Sequence, residues 1–129
     1  MSQWTHVTGT IRVDVHKDIE KERFQKWLDS RIALLPKITG SERDVDMWVK
    51  PKSGYNHSTW EDNEHKTYQT MAVITIDGDL RDRNQEQVLK EVDAVFDCIT
   101  KNLDWYIDMY SIKLDDILIG KDFYYEYHF

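Results

Sequence analysis

The stretch Thr67-Tyr68-Gln69-Thr70-Met71-Ala72-Val73-Ile74-Thr75-Ile76-Asp77, followed shortly by Asn84-Gln85-Glu86-Gln87-Val88, decides how the whole chain is read. Met71, Val73, Ile74 and Ile76 belong to a run rich in β-branched residues, bounded by polar and turn-forming neighbours, which is the signature of a strand. Gly78 to Asn84 then reads as a turn. Asn84 followed three residues later by Gln87 is a capping box, the reciprocal pair that satisfies orphan N–H groups at a helix start. Val88, Val92, Val95, Phe96, Ile99 and Leu103 recur at three- and four-residue spacing, so a helix with one apolar stripe is expected from Asn84 onward.

Upstream of this unit, Glu42 to Lys50 alternates. Val45, Met47 and Val49 face one side, and Asp44, Asp46 and Trp48 face the other, which predicts a second strand closed by Pro51. Pro51 to Lys66 is polar and turn-rich and reads as a long connection between strands. Further upstream, Asp18 to Leu35 reads as a helix: Asp18 is the expected N-cap, and Phe24, Trp27, Leu28, Arg31 and Leu35 form a stripe that Pro36 stops. Trp4 to Val15 reads as a strand, with Gly9 marking a bulge or a close backbone approach.

Downstream, Trp105 to Leu114 predicts another strand and Asp115-Asp116 a break. Ile117 to Phe129 supplies a short final strand or a hairpin. The order is β-α-β-β-α-β with a C-terminal extension. Two helices on one face of an antiparallel sheet bury these stripes most simply, so the expected class is α+β, a ferredoxin-like sandwich. The 129 residues suffice for one core, giving a single domain over 1–129.

Composition narrows the function classes. The chain carries a net charge of −7, and 12% of its residues are aromatic. A nucleic-acid binder needs a basic face to displace counterions, so the acidic balance speaks against that partner and in favour of a basic protein. The single cysteine, Cys98, excludes an intrachain disulfide and falls on the apolar helical stripe, as a small core residue does. No apolar run approaches the ~20 residues of a membrane span, and no apolar segment follows Met1, so a cytoplasmic protein without membrane contact is expected.

Two segments concentrate contact residues. The 51–66 connection holds Tyr55, His57, Trp60, Glu61, Asp62, Glu64 and His65. Its aromatics are typical of interfaces, and its imidazoles and carboxylates are the donor types of a divalent-metal site, although their spacing matches no zinc motif. From Asp104 to Glu126 six acidic residues face two basic ones. Tyr106, Tyr110, Tyr124 and Tyr125 are interleaved with Asp115 and Asp116, which suits an acidic, tyrosine-rich contact surface. The turn Asp77-Gly78-Asp79-Leu80-Arg81-Asp82 is read as Asp caps with an internal Arg81 salt bridge, and a magnesium site as the alternative. His6 and His16 are read as packed or hydrogen-bonded structural residues.

Trp4-Thr5-His6-Val7-Thr8-Gly9-Thr10-Ile11-Arg12-Val13-Asp14 resembles the opening of a family of small bacteriophage proteins beginning W-x-H-V-x-G-x-I-R-[VI]-D. The Leu35-Pro36 to Gly40-Ser41-Glu42 turn and Ile76-Asp77-Gly78-Asp79-Leu80-Arg81-Asp82 are similar as well. The resemblance implies a phage or prophage gene product acting inside a bacterium, and it carries no catalytic residue with it. With no catalytic signature in the sequence, the expected function is binding to a host bacterial protein, including inhibition of a defence protein, through an acidic aromatic surface. No cofactor is called for. Two alternatives stand beside it: a metal-assisted hydrolase or nuclease, which requires the His57/His65 segment to meet Asp77, Asp79 and Asp82, and a small-ligand or nucleotide-binding homodimer.

Overall fold

A computed structural model of the protein describes residues 4–52, 56–61, 64–115 and 117–121. In chain order these form β1 (Trp4–Asp18), α1 (Lys21–Ile32), β2 (Asp46–Pro51), β3 (Asn56–Glu61), β4 (Glu64–Arg81), α2 (Gln85–Asp97), β5 (Tyr106–Leu114) and β6 (Ile117–Lys121). The α2 axis continues through a π-helical turn, Cys98–Asn102. All strand pairs are antiparallel, and the sheet runs β2-β4-β1-β5-β6, with β3 pairing the beginning of β4. The described residues thus make an α+β fold with two α-helices and an antiparallel sheet. β1-α1-β2 and β4-α2-β5 are interleaved, each placing one strand between the two strands of the other.

Alternation along the strands divides the sheet into two sides. Val7, Ile11 and Val13 of β1, and Ala72, Ile74, Ile76 and Leu80 of β4, are almost fully buried, as are Val49 of β2 and Ile112 and Leu114 of β5. These residues form one core cluster with Phe24 and Leu28 of α1 and Val88, Val92 and Val95 of α2. Each buried Val, Ile, Leu or Phe side chain among them stabilises the fold by ~1.5–3 kcal/mol. Register confirms the layer: Ile11 stands opposite Ile74 on one side and Tyr110 on the other. The aromatic Trp27 bridges inward, its ring 6.0 Å from that of Phe24 and 5.9 Å from that of Trp105.

The helix starts differ. Asn84 accepts from the Gln87 backbone, and Gln87 answers with its side chain, so the expected capping box opens α2. Asp18, expected to cap α1, is instead the last residue of β1; α1 opens after Glu20 with no side-chain cap.

Gly78 does not turn the chain. β4 runs through it to Arg81, and Gly78 pairs with Val7. A Cβ at Gly78 would lie 3.0 Å from Val45 Cα, so the absent side chain admits the segment leading into β2. Gly9 likewise marks a close approach and not a bulge: its pairing on both sides is unbroken, and a Cβ there would stand 2.2 Å from the Ser111 carbonyl oxygen.

The described part of the 51–66 connection is strand and not loop. Asn56–Glu61 pairs with Glu64–Gln69 as a two-stranded ribbon, continuing along the edge of β4 that β2 occupies. At the other end of the chain, β6 pairs with β5 and extends the sheet by one strand.

Candidate functional site

The side of the sheet away from the helices is built from the alternate residues of the same strands. Three rows cross it. Asp46, Asp77, Thr8 and Lys113 stand in one; Trp48, Thr75, Thr10 and Ser111 in the next; Lys50, Val73, Arg12 and Met109 in the third. The described helices pack against the opposite side, and this face carries exposed aromatic surface. Trp4 is 44% exposed, Trp48 42% and Tyr106 63%. Of the large hydrophobics exposed among the described residues, only Leu34 lies elsewhere, beyond the end of α1.

Register places the three aromatics far apart on one face. Trp4 pairs with Arg81 near one end, Trp48 with Thr75 at the middle, and Tyr106 with Asp14 toward the other end. Trp4 and Asp14 are ten positions apart on β1, which at ~3.3 Å per residue spans roughly 33 Å. Carboxylates alternate with these rings: Asp14, Asp46, Asp77 and Asp79. Arg12 is drawn to Asp108, with Nε 3.4 Å from Oδ2, and Arg81 is engaged by Glu42 and Asp82. The cations of this face are therefore partly neutralised within it.

One end of the face is fastened by a polar node. His6 Nδ1 lies 2.5 Å from Asp79 Oδ1, its partner directly across the ladder. The His6 backbone N–H donates to Asp115 Oδ1 at 3.0 Å, and the Asp115 N–H donates to the His6 carbonyl at 3.0 Å. Gln85, at the start of α2, reaches Asp115 Oδ2 at 3.4 Å. Asp115 adopts a positive φ of 51° at the turn after β5, a conformation that aspartate tolerates better than most residues. The hydrogen bond to Asp79 raises the His6 pKa above its ordinary value, against a lowering by desolvation, with added attraction from the Asp79 and Asp115 charges. Around the node lies a shallow depression of about 420 Å³, with Thr8, Asp77 and Lys113 on its walls.

A second, wider cleft, about 820 Å³, lies between the end of α1 and the segment entering β2. Ile32, Leu35, Val45 and Met47 line it, with Asp29, Asp44 and Asp46 against Lys37 and Arg43. Charges of both signs leave it without a single preferred ligand polarity.

The contact residues expected from sequence are dispersed. Tyr106 lies on the open face. Tyr110 does not: its ring packs edge-on against Phe96, centroids 4.7 Å apart, on the helix side. The difference arises at Asp108, where the β1–β5 register shifts, so that Tyr106 pairs with Asp14 but Tyr110 with Ile11. A one-residue slip exchanges the faces of a strand. Asp115 belongs to the His6 node. Trp60 and Glu61 occupy β3, opposite His65 and Glu64. Tyr55, Asp62, Asp116, Tyr124 and Tyr125 lie outside the described residues.

The residue sets required by the metal-enzyme alternative do not converge. His57 pairs with Tyr68, nine positions along β4 from Asp77, roughly 30 Å away. Asp82 turns aside to accept from the Ser41 hydroxyl at 2.9 Å. Among the described residues no group of three His, Cys, Asp or Glu is placed to hold a metal ion. Sequence reasoning passed over Trp48 and the His6–Asp79 pair; the alternation in 44–49 already set Trp48 on the side opposite Val45 and Val49.

Comparison with protein-family models, with curated proteins and with solved structures finds no match to this chain. No helix among the described residues is long and apolar enough to cross a membrane.

Proposed function

We infer that this chain is a small phage or prophage accessory protein that binds a host protein, a defence protein being the leading class, in the bacterial cytoplasm. The observation that carries the binding reading is the set Trp4, Trp48 and Tyr106, exposed on the face that the described helices leave open. Aromatic side chains are among the commonest anchors of protein interfaces, and this face presents three of them. Their spread along the sheet suits a broad protein surface of ~800 Å² per side better than a small ligand. The intervening carboxylates and the net charge of −7 favour a basic partner surface. The phage context rests on the resemblance of residues 4–14. The interleaved β-α-β units and the order β2-β4-β1-β5 support reading the core as a ferredoxin-like sandwich, to which β3 and β6 are additions.

The test pairs the wild-type chain with a Trp48→Asp/Tyr106→Asp variant, both immobilised and exposed to bacterial lysate. The expected result is a partner held in stoichiometric amount by the wild type and lost from the variant. Aspartate is a poor strand former, so the double variant should lose up to about 2 kcal/mol, and its circular dichroism and cooperative melting should confirm that it is still folded at the temperature of the binding assay. Equal retention by both proteins, or none by either, removes the reading.

A further inference from the structure

The open face divides its charges by row. Asp46 and Asp77 stand in one row, and Lys50 and Arg12 in the next but one. The row between them, which starts at Trp48 and ends at Ser111, carries no charge. Asp46 and Asp77 are direct neighbours across the β2–β4 ladder, and both are exposed. Like charges so placed destabilise a sheet. Among the described residues neither carboxylate has a cation in ion-pair contact, and the exposed Lys50 has no carboxylate. The fold thus keeps an unfavourable acidic pair on one side of Trp48 and an unengaged cation on the other.

We propose that this face packs against the same face of a second copy of the chain, about a two-fold axis lying in the interface along the Trp48–Ser111 row. Each row then meets the row equally far beyond the axis. Asp46 meets Lys50 of the second copy, and Asp77, beside Asp46, shares that cation. Trp48, 42% exposed in the single chain, meets its own counterpart and is covered. In the same register Asp77 faces Val73, Thr8 faces Arg12 and Lys113 faces Met109, so no like charges are set directly opposite each other. Charge that changes sign across the axis is complementary to itself, which is what a chain of net charge −7 needs in order to meet its own copy. The strands of the two sheets run within about 30° of each other, as in an aligned sheet packing. Four strands, over residues 6–14 of β1 and their partners, give a face of roughly 19 by 30 Å. The two copies together bury about 1,100 Å², at the low end for a specific interface, so the dimer is weak and concentration-dependent. A host protein on this face, as inferred above, has to displace the second copy, and a weak dimer permits that.

Sedimentation equilibrium of the purified full chain over a concentration series tests this. The mass should rise from 15.5 kDa toward twice that value. Asp46→Lys and Lys50→Asp, each made alone, set like charges against each other on both sides of the axis and should weaken association about tenfold. Their deficits should shrink in high salt. The combined Asp46→Lys/Lys50→Asp variant reverses the pair and should recover much of the loss. Asp46→Lys also relieves the contact with Asp77, so its melting temperature should not fall, and loss of the dimer is then not loss of the fold. A chain that stays monomeric to about 1 mM, a dimer that both single variants leave unchanged, or a combined variant that associates no better than either single one overturns the proposal. The chain is alone in solution, so failure here is distinct from failure of the lysate experiment.

Discussion

The two faces of the sheet use the same strands to opposite ends. On the helix side every second residue from Val7 to Val13 of β1 and from Ala72 to Leu80 of β4 is an aliphatic group or a glycine, and the aliphatic ones are almost fully buried. On the open side the intervening positions hold threonines, aspartates and exposed tryptophan, joined by polar contacts across the ladder. One face is specified by volume, because a close-packed interior registers every methylene. The other is specified by charge and by what it leaves uncovered. Substitutions should therefore separate the faces by the size and kind of their effects.

The largest expected effect is on the packed side. Phe24→Ala removes a ring that is 1% exposed and stacked toward Trp27, and should cost about 3–5 kcal/mol in urea unfolding. A loss under 1 kcal/mol would mean that the core relaxes around the cavity and that the contrast between faces is weaker than drawn. Gly9→Ala comes next, at about 1–3 kcal/mol. Its added methyl would meet the Ser111 carbonyl oxygen and the Ile112 Cα, both backbone, so β1 and β5 must separate. Hydrogen exchange should locate the loosening in the β1–β5 ladder and leave β1–β4 protected.

The smallest effect belongs to the open face and varies with pH. The folded protein holds a proton on His6 more tightly than the unfolded chain does. The stabilisation this gives is full below the ordinary imidazole value of about 6.5 and is lost as pH rises through the higher folded-state value. Compared with a His6→Gln variant, the wild type should gain its advantage on the acidic side and lose it at alkaline pH. A difference that stays constant across that range would show that the His6–Asp79 contact does not depend on the proton.

Much of the packed face was legible in the chain. Period-two alternation exposed the strand cores, and the Asn84–Gln87 box announced α2 through local chemistry that needs no tertiary contact. What escaped was set by contacts distant in sequence. Gly78 looks like a turn until Val45 is seen resting over it. The stretches that form β3 and early β4 are mostly polar and carry no regular apolar alternation in sequence; the backbone pairing of Asn56–Glu61 with Glu64–Gln69 is what makes them regular. The contact surface was only partly legible. Tyr106 and Tyr110, four residues apart, would share a face in an uninterrupted strand, and only the shift at Asp108 parts them.

β1 has a consequence for how the protein is made. Both of its neighbours lie later in the chain: β4 begins at Glu64 and β5 at Tyr106. While the polypeptide grows, β1 waits with two open edges, first for most of one partner to be synthesised and then for the other. Pairings this remote carry a high loop-closure cost and form slowly. β1 is thus fully closed into the sheet only after Leu114 has been translated, and until then its open edges are free to pair wrongly.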